Sequence, residues 1–338
     1  MSAGDVRKIL ILRFSSLGDI VMTTAVPRVL RARYPTAQID MVVGEEYLDL
    51  ILHNPYLDGK IGFSRKSGSL RQLLRRLNRE GYDLVYDAHR SLRTAALMPW
   101  LRARHKTYLH KHYLRRNLTL LTKLPLWKDR TRLLERHTRA LAPFGVAYDG
   151  RGPEVFLASS ERGACEVAPS IGLIPSAQWP GKRWPPDRFH QLAKQLLERT
   201  PFSLVVFGGK DDTFCGDIVA GLDKRRIFNK QGRLSLLEAA SELKACTFVI
   251  ANDTGLLHVA DAVGRPSIVL MGPTSALMGC LPFHPLSRVM EQSLWCRPCS
   301  ANGQAPCIRS KRYCLEKTTV RDVLSSALSL VEELKGAA

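Results

Sequence analysis

Short apolar runs that stop at small or acidic turn residues, each followed by a helix-length amphipathic stretch, recur along this chain and restrict its fold more than any other feature. KILILRF (8–14) reads as a buried strand. It breaks at Ser15-Ser16-Leu17-Gly18-Asp19, and DIVMTTAVPRVLRARYP (19–35) then takes up helical periodicity. AQIDMVVG (37–44) and LVYDAH (84–89) are further strands, with the basic helix LRQLLRRLNREGYD (70–83) leading into the second. β-Branched runs alternating with helices indicate βαβ units in a parallel sheet. After a Gly/Pro-rich break at FGVAYDGRGPEVFL (144–157) the pattern returns. IGLIPSA (171–177) and SLVVFGGKDD (203–212) are strands running into turns, and RFHQLAKQLLERT (188–200) and LLEAASELKAC (236–246) are helices. TFVIANDTGLLHVADAVGRPSIVLMGPTS (247–275) adds strand, turn, helix and strand. The fold expected is α/β, with Rossmann-like domains at 1–155 and 165–318 facing a central cleft and a closing helix at 319–338.

A chain of 338 residues is long for one core, which also favours two domains. No apolar run approaches the ~20 residues that a membrane span needs, so no transmembrane segment is expected. The start MSAGDVRKILIL has no apolar signal region, which points to a cytosolic enzyme. The net charge of +19 is the outlier, and residues 60–139 carry +16 of it, 21 Lys/Arg against 5 Asp/Glu. Such a zone meets phosphates on nucleic acid, anionic lipid or a phosphorylated substrate, unless it is simply a solvated surface. It lacks an RNP-like or helix-turn-helix pattern, which argues against nucleic acid.

Four stretches are placed to carry chemistry, because ligands of open α/β sheets bind beyond the carboxyl ends of the strands. At SSLGD, Ser15 or Ser16 can cap a helix, Gly18 tolerates unusual backbone angles, and Asp19 lies in the first helical turn. Asp19 is there either as a reactive carboxylate or as a charge on the helix dipole. In ANDTGLLHVADAVGRP (251–266) a helix begins at Thr254-Gly255, and its open N–H groups suit a phosphate or pyrophosphate. In IPSAQWPGKRWPPDRF (174–189), Lys182 and Arg183 sit in a Trp/Pro-stiffened loop. VVFGGKDD (205–212) is a strand running into glycines and acids. G-x-G-x-x-G is absent, which argues against a nicotinamide or flavin oxidoreductase.

These stretches together resemble glycosyltransferase family 9, the ADP-heptose:lipopolysaccharide heptosyltransferases, over essentially the whole chain. The resemblance rests on the opening strand with SSLGD, the helix ending in RARYP, the K-R-W-P loop, the FGG-x-x-D turn, and NDTGLLH followed by an apolar strand and GPT (272–274). It implies a GT-B fold with the acceptor on the N-terminal domain and the nucleotide sugar on the C-terminal one. Asp19 matches the family's catalytic base and Lys182 a lysine near the donor pyrophosphate. Asp253, Thr254, Gly255, Leu256 and His258 match the donor-binding loop. Asp212 and Glu238 are both candidates for an acidic contact to the nucleoside. On the acceptor side the candidates are Ser15, Ser16, Gly18, Arg65 and Lys66, with Arg71, Arg75, Arg76 and Arg79 in the same basic zone.

The reaction implied is inverting transfer of a heptose from ADP-L-glycero-D-manno-heptose to the inner core of lipopolysaccharide, a phosphorylated lipid A bearing Kdo. The alternatives are a family-9 enzyme using another nucleotide sugar, a nucleotide-sugar epimerase, and a basic nucleic-acid-binding protein. Single displacement needs one base and a stabilised leaving group, so no cofactor is required, although Asp253 is placed to hold Mg²⁺ beside the diphosphate. The four late cysteines, Cys296, Cys299, Cys307 and Cys314, form C-x2-C-x7-C-x6-C. That pattern raises a structural zinc site against thiols packed in a loop or an oxidisable pair. The enzyme is expected at the cytoplasmic face of the inner membrane, in peripheral contact with its anionic surface.

Overall fold

The structure, a computed structural model, describes residues 6–66, 68–124, 126, 131–158 and 169–336. Residue 165, where the second domain is expected to begin, and the thiol of Cys165 lie outside the described residues. The chain divides into two compact units, Met1–His112 with Thr131–Phe156, and Tyr113–Arg130 with Leu157–Ala338.

The first unit is built on five parallel strands: β1 (Lys8–Arg13), β2 (Gln38–Gly44), β3 (Gly59–Phe63), β4 (Leu84–Asp87) and β5 (His105–Tyr108), in the order β3-β2-β1-β4-β5. Register runs from Lys8 opposite Gln38 to Arg13 opposite Val43 on one side of β1, and from Ile9 opposite Leu84 to Leu12 opposite Asp87 on the other. Ile9 to Leu12 are wholly buried, as a strand covered on both faces requires. The helix expected at 19–35 forms as two pieces, Leu17–Thr23 and Ala25–Arg33. Pro27 has no N–H to close onto the Thr23 carbonyl. Next to that gap, the hydroxyls of Thr23 and Thr24 donate back to the carbonyls of Asp19 and Val21, each at 2.7 Å. Helix Leu70–Glu80 starts at a Ser69/Gln72 capping box, buries Leu73 and Leu77, and leaves Arg71, Arg75, Arg76 and Arg79 exposed. Arg28, nearly buried, fastens the end of the unit by donating to Asp149 and Glu154, each at 2.6 Å.

The second unit holds six parallel strands: β6 (Ser170–Ile174), β7 (Ser203–Val206), β8 (Ile227–Asn229), β9 (Phe248–Asn252), β10 (Ser267–Met271) and β11 (Arg288–Glu291), ordered β11-β10-β9-β6-β7-β8. Helix Pro186–Arg199 supplies Phe189, Leu192 and Leu196 to the core, and helix Val320–Gly336 supplies Val323, Ala327 and Leu330. Trp184 anchors this core. It is fully buried, its ring meets Phe189 edge-on at 5.0 Å, and its indole N–H donates to the Thr318 carbonyl at 2.9 Å. In each sheet the chain reverses its direction of strand addition once, at β1/β4 in the first and at β6/β9 in the second, and crevices at the carboxyl ends open at such points.

His137, wholly buried, faces the Tyr86 hydroxyl with Nδ1 at 2.6 Å. Burial, and then the charge of Arg13, push its pKa down to about 3, so the folded state keeps the ring neutral. The unfolded ring titrates near 6.5, so below that pH the unfolded chain binds a proton that the folded chain refuses. Stability is therefore complete above about pH 6.5 and falls as pH drops from there toward 3. His137→Gln is expected to make that acid-side loss shallower by about 1 kcal/mol per pH unit, read from thermal melting between pH 7 and 4.5. An unchanged slope would show that His137 is not held neutral.

Candidate functional site

At the reversal point of the first sheet, β1 delivers Arg13 and the turn after it delivers Asp19. Arg13 is almost fully buried at the end of an apolar strand. It donates to the Ala88 carbonyl, just past β4, at 2.6 Å, and its other nitrogen meets the Asp19 carboxylate at 2.5 Å. The Ser16 hydroxyl donates to the same carboxylate at 3.1 Å. The Asp19 side chain keeps 39% of its surface exposed, against 3% for Arg13, so the carboxylate is aimed by a buried cation yet remains open to a ligand. His89 lies beside this group, and burial together with Arg13 and Lys111 pushes its pKa down to about 3, leaving a neutral imidazole. Ser15 and Gly18 are half-buried in the same turn, whereas Arg65 and Lys66 are exposed in the turn that follows β3.

At the reversal point of the second sheet, the loop after β6 and the turn after β9 meet. Lys182 Nζ lies 2.7 Å from the Asp253 carboxylate, to which the Thr274 hydroxyl also donates at 2.6 Å. Burial pushes the Asp253 carboxyl up, but Lys182, Thr274 and nearby His258 outweigh it and hold the group ionised below the ordinary carboxylate range. Thr254 is the N-cap of helix Gly255–Ala262 in extended conformation, and its side chain makes no cap hydrogen bond. Thr254, Gly255 and Leu256 are half-buried at that helix start, and His258 is buried one turn in. Asn252 ties the two loops together, accepting from the Trp184 N–H at 3.0 Å and donating to the Pro175 carbonyl at 2.7 Å. A cavity of about 500 Å³ opens beyond β10 and β11, lined by Ser275, Ala276, Leu277, Gln292, Leu294 and Arg297 among others.

The cysteine-bearing loop supports this site from behind. Arg297 donates to the carbonyls of Gly272 and Thr274, each at 2.6 Å, and so fixes the GPT turn that carries Thr274. Gly303, at φ +88°, lies against the Lys182 stem, where a Cβ would come within 2.6 Å of Lys182 Cγ. Cys296 and Cys314 are buried, Cys299 is half-buried and Cys307 is exposed, all as free thiols. Burial pushes the Cys299 and Cys314 thiols up. Among the described residues no group of three or more His, Cys, Asp or Glu is placed to hold a metal ion. The charges of Cys296, Cys299 and Cys307 also push the Cys314 thiol up, so the four thiols lie in one neighbourhood, while Asp253 has a lysine, not a second acid, as its partner.

The acidic residues considered for a nucleoside contact are already engaged. Asp212 pairs with Arg183 at 3.0 Å and accepts from the Gly209 N–H at 2.8 Å, while Glu238 accepts from the Ser235 N–H at 2.7 Å as a capping box. Arg183 donates to Asp212 and, through Nε, to the Ala177 carbonyl at 2.9 Å. Sequence reasoning missed Arg13, Asn252 and Arg297 as site residues. An arginine closing an apolar strand was a readable signal for Arg13, and Asn252 stood inside the quoted NDTG. Nothing local marked Arg297.

The family model described as glycosyltransferase family 9 (heptosyltransferase) matches residues 70–309. Lipopolysaccharide heptosyltransferase 2 of Salmonella typhimurium is 30% identical over 295 residues, covering 79% of this chain and 83% of that protein. The Escherichia coli K12 protein of the same name is 28% identical with the same coverage. The solved structure of E. coli ADP-heptose lps heptosyltransferase II superposes with a TM-score of 0.77 at 25% identity, over 97% of this chain and 99% of that one.

The Lys182–Asp253 pair carries a stability prediction of its own. Lys182→Met strands a largely buried carboxylate and is expected to cost about 3–5 kcal/mol at neutral pH, as breaking a buried pair does. Because Asp253 is held below its unfolded pKa, this stabilisation is present above that value and disappears as pH falls through the folded one. Gly303→Ala, which forces a Cβ against the lysine stem at positive φ, is expected to cost about 1–3 kcal/mol. Adding Asp253→Asn to Lys182→Met should recover part of the loss in a double-mutant cycle of melting temperatures. Strict additivity would show that the pair is not coupled.

Proposed function

The chain belongs to glycosyltransferase family 9, and from that premise we propose that it transfers a heptose from ADP-L-glycero-D-manno-heptose, with inversion, to the inner core of lipopolysaccharide. The observation that carries this reading is the cation at the head of an uncapped helix. Lys182 is held 2.7 Å from Asp253, beside the open N-terminus of helix Gly255–Ala262. A diphosphate leaving group needs fixed positive charge and N–H donors that are already in place when charge develops on it. Lys182, the Thr254 hydroxyl and the N–H groups of the first helical turn supply both. The adenosine occupies the cavity beyond β10 and β11, whose mixed lining offers Leu277 and Leu294 to a base and Ser275 and Gln292 to a ribose.

In the reaction Asp19 takes the proton of the acceptor hydroxyl as that oxygen attacks the anomeric carbon. The bond from that carbon to the β-phosphate oxygen breaks, and ADP departs with the electron pair. Arg13 and Ser16 hold the carboxylate in one orientation, while its exposed surface receives the hydroxyl. The acceptor is a phosphorylated, Kdo-bearing lipid, to which Arg65, Lys66 and the exposed arginines of helix Leu70–Glu80 offer charge. The enzyme works at the cytoplasmic face of the inner membrane in peripheral contact with its anionic surface. No helix among the described residues is long and apolar enough to cross a membrane. Lys182 already supplies the charge next to Asp253, so this scheme routes no step through Mg²⁺.

ADP-heptose should protect the protein against thermal unfolding and UDP-sugars should not; protection by a UDP-sugar alone would assign a different donor. Asp19→Asn is expected to retain that protection and lose turnover by about 10²–10⁴-fold, the usual cost of removing a general base. Lys182→Ala and Thr254→Val should both weaken ADP binding in calorimetry. Near-normal turnover in the first variant, or unchanged ADP affinity in both others, would sink the corresponding assignment.

A further inference from the structure

Helix Tyr113–Thr122 (YLRRNLTLLT) presents its apolar stripe to solvent. At about 100° per residue, Leu114, Leu118 and Leu121 fall within roughly 60° of one another on the helix circumference. Their exposures are 74%, 38% and 79%. The opposite side is the packed one: Thr119 is buried, and Arg116, Leu120 and Lys123 are half-buried. Lys123, just past the helix, donates to the carbonyls of Leu120 and Pro298. The stripe continues beyond the helix in Leu124 and Leu126, 56% and 45% exposed. An ordinary surface helix points its apolar side inward, so this one is turned inside out.

The charge around the stripe selects its occupant. Within the unit that holds the helix, the segment 113–130 carries five Lys/Arg (115, 116, 123, 128 and 130) against one acid, Asp129. Arg115 is exposed on the helix itself, and the Arg116 guanidinium lies over the Tyr113 ring at 5.0 Å. A helix with an outward leucine stripe, an exposed arginine beside it and a net positive segment around it fits the interface of an anionic bilayer, its leucines among the acyl chains and Arg115 at the headgroups. A protein partner would need an acidic surface with a groove for the leucines. A second copy of this chain would bring its own cations against these and repel.

We propose that helix Tyr113–Thr122, with Leu124 and Leu126, is the element that inserts into the surface of an anionic lipid bilayer. The proposal deepens the peripheral membrane contact given under Proposed function and rests on that reading for its purpose, although its observations are separate. It divides the labour within the basic zone: the leucines supply attachment that salt does not screen, and the arginines supply attachment that it does.

The test uses the full chain and vesicles of phosphatidylethanolamine with phosphatidylglycerol, against vesicles of phosphatidylcholine alone. The triple variant Leu114→Gln, Leu118→Gln, Leu121→Gln should lose at least about tenfold in partitioning to the anionic vesicles, with the remainder abolished by high salt. Circular dichroism and thermal protection by ADP should be unchanged in it. In a separate variant, Leu118→Trp, the tryptophan difference emission should shift to the blue on adding anionic vesicles. Wild-type partitioning of the triple variant, or an unmoved emission while the protein sediments with vesicles, overturns the proposal. So does equilibrium sedimentation without lipid in which the wild-type chain is dimeric and the triple variant monomeric, since the stripe would then belong to a second copy. Absence of ADP protection in the wild-type chain, with lipid partitioning as expected, would count against the transferase reading and leave this one standing.

Discussion

The candidate donor site depends on a carboxylate taken almost out of water. Asp253 sits at the end of β9 with little exposed surface, and a charge in that position is costly unless it is paired and hydrogen-bonded. Its partners come from different parts of the second unit: Lys182 from the loop after β6, Thr274 from the turn after β10. Each partner is itself held, Lys182 by Gly303 against its stem and Thr274 by Arg297 on its carbonyl. Satisfying one aspartate therefore fixes three loops, and the cysteine-bearing segment takes part as the strut behind two of them. Rigid, pre-paired surroundings are what a site for a leaving diphosphate requires, because donors that reorient during the reaction stabilise little.

Both units reach this kind of arrangement by the same topological route. In a parallel sheet every strand delivers its following turn to one edge, and where the strand order reverses, adjacent turns diverge and leave room. Arg13–Asp19 with the Ala88 carbonyl occupies that position in the first sheet, and Lys182–Asp253 occupies it in the second. In the second site the acid and its cation come from neighbouring strands that are distant in sequence; in the first they are six residues apart, and it is the Ala88 carbonyl after β4 that joins Arg13 to a second strand.

That separation explains what was legible beforehand. The strands β1, β2, β4, β6, β7, β9 and β10 were readable because both faces are covered and their apolar runs are nearly unbroken. Those left unread, β3, β5, β8 and β11, are the four sheet edges. GKIGF, HKTY, IFN and RVME are short and partly exposed, so they carry polar residues and lose the signal of burial. Asp19, Lys182 and Thr254 were legible because each stands in a turn at the carboxyl end of an inner strand. Their partners were not. Arg13 stood out only as an arginine closing an apolar strand, with nothing to name Asp19 as its partner, nothing local marked Arg297, and nothing showed that Asp212 meets Arg183 and the Gly209 N–H. Helix Tyr113–Thr122 escaped for the opposite reason, since periodicity finds an apolar stripe without saying which way it points.

The two site aspartates show how burial alone separates two tasks for one side chain. Each is paired with a cation, at 2.5 Å for Asp19 and 2.7 Å for Asp253. Asp253 keeps only 10% of its side-chain surface and shares its oxygen with a lysine and a hydroxyl, which leaves it a fixed counter-charge that orients Lys182. Asp19 keeps 39%, and its arginine approaches from the buried side only. A proton arriving from solvent or substrate can reach Asp19, and the buried guanidinium, which does not give up its own proton, cannot compete for it. Exchange of the two environments would exchange these properties: a sealed Asp19 would be a structural ion, and an open Asp253 would be a solvent-facing carboxylate within reach of a proton.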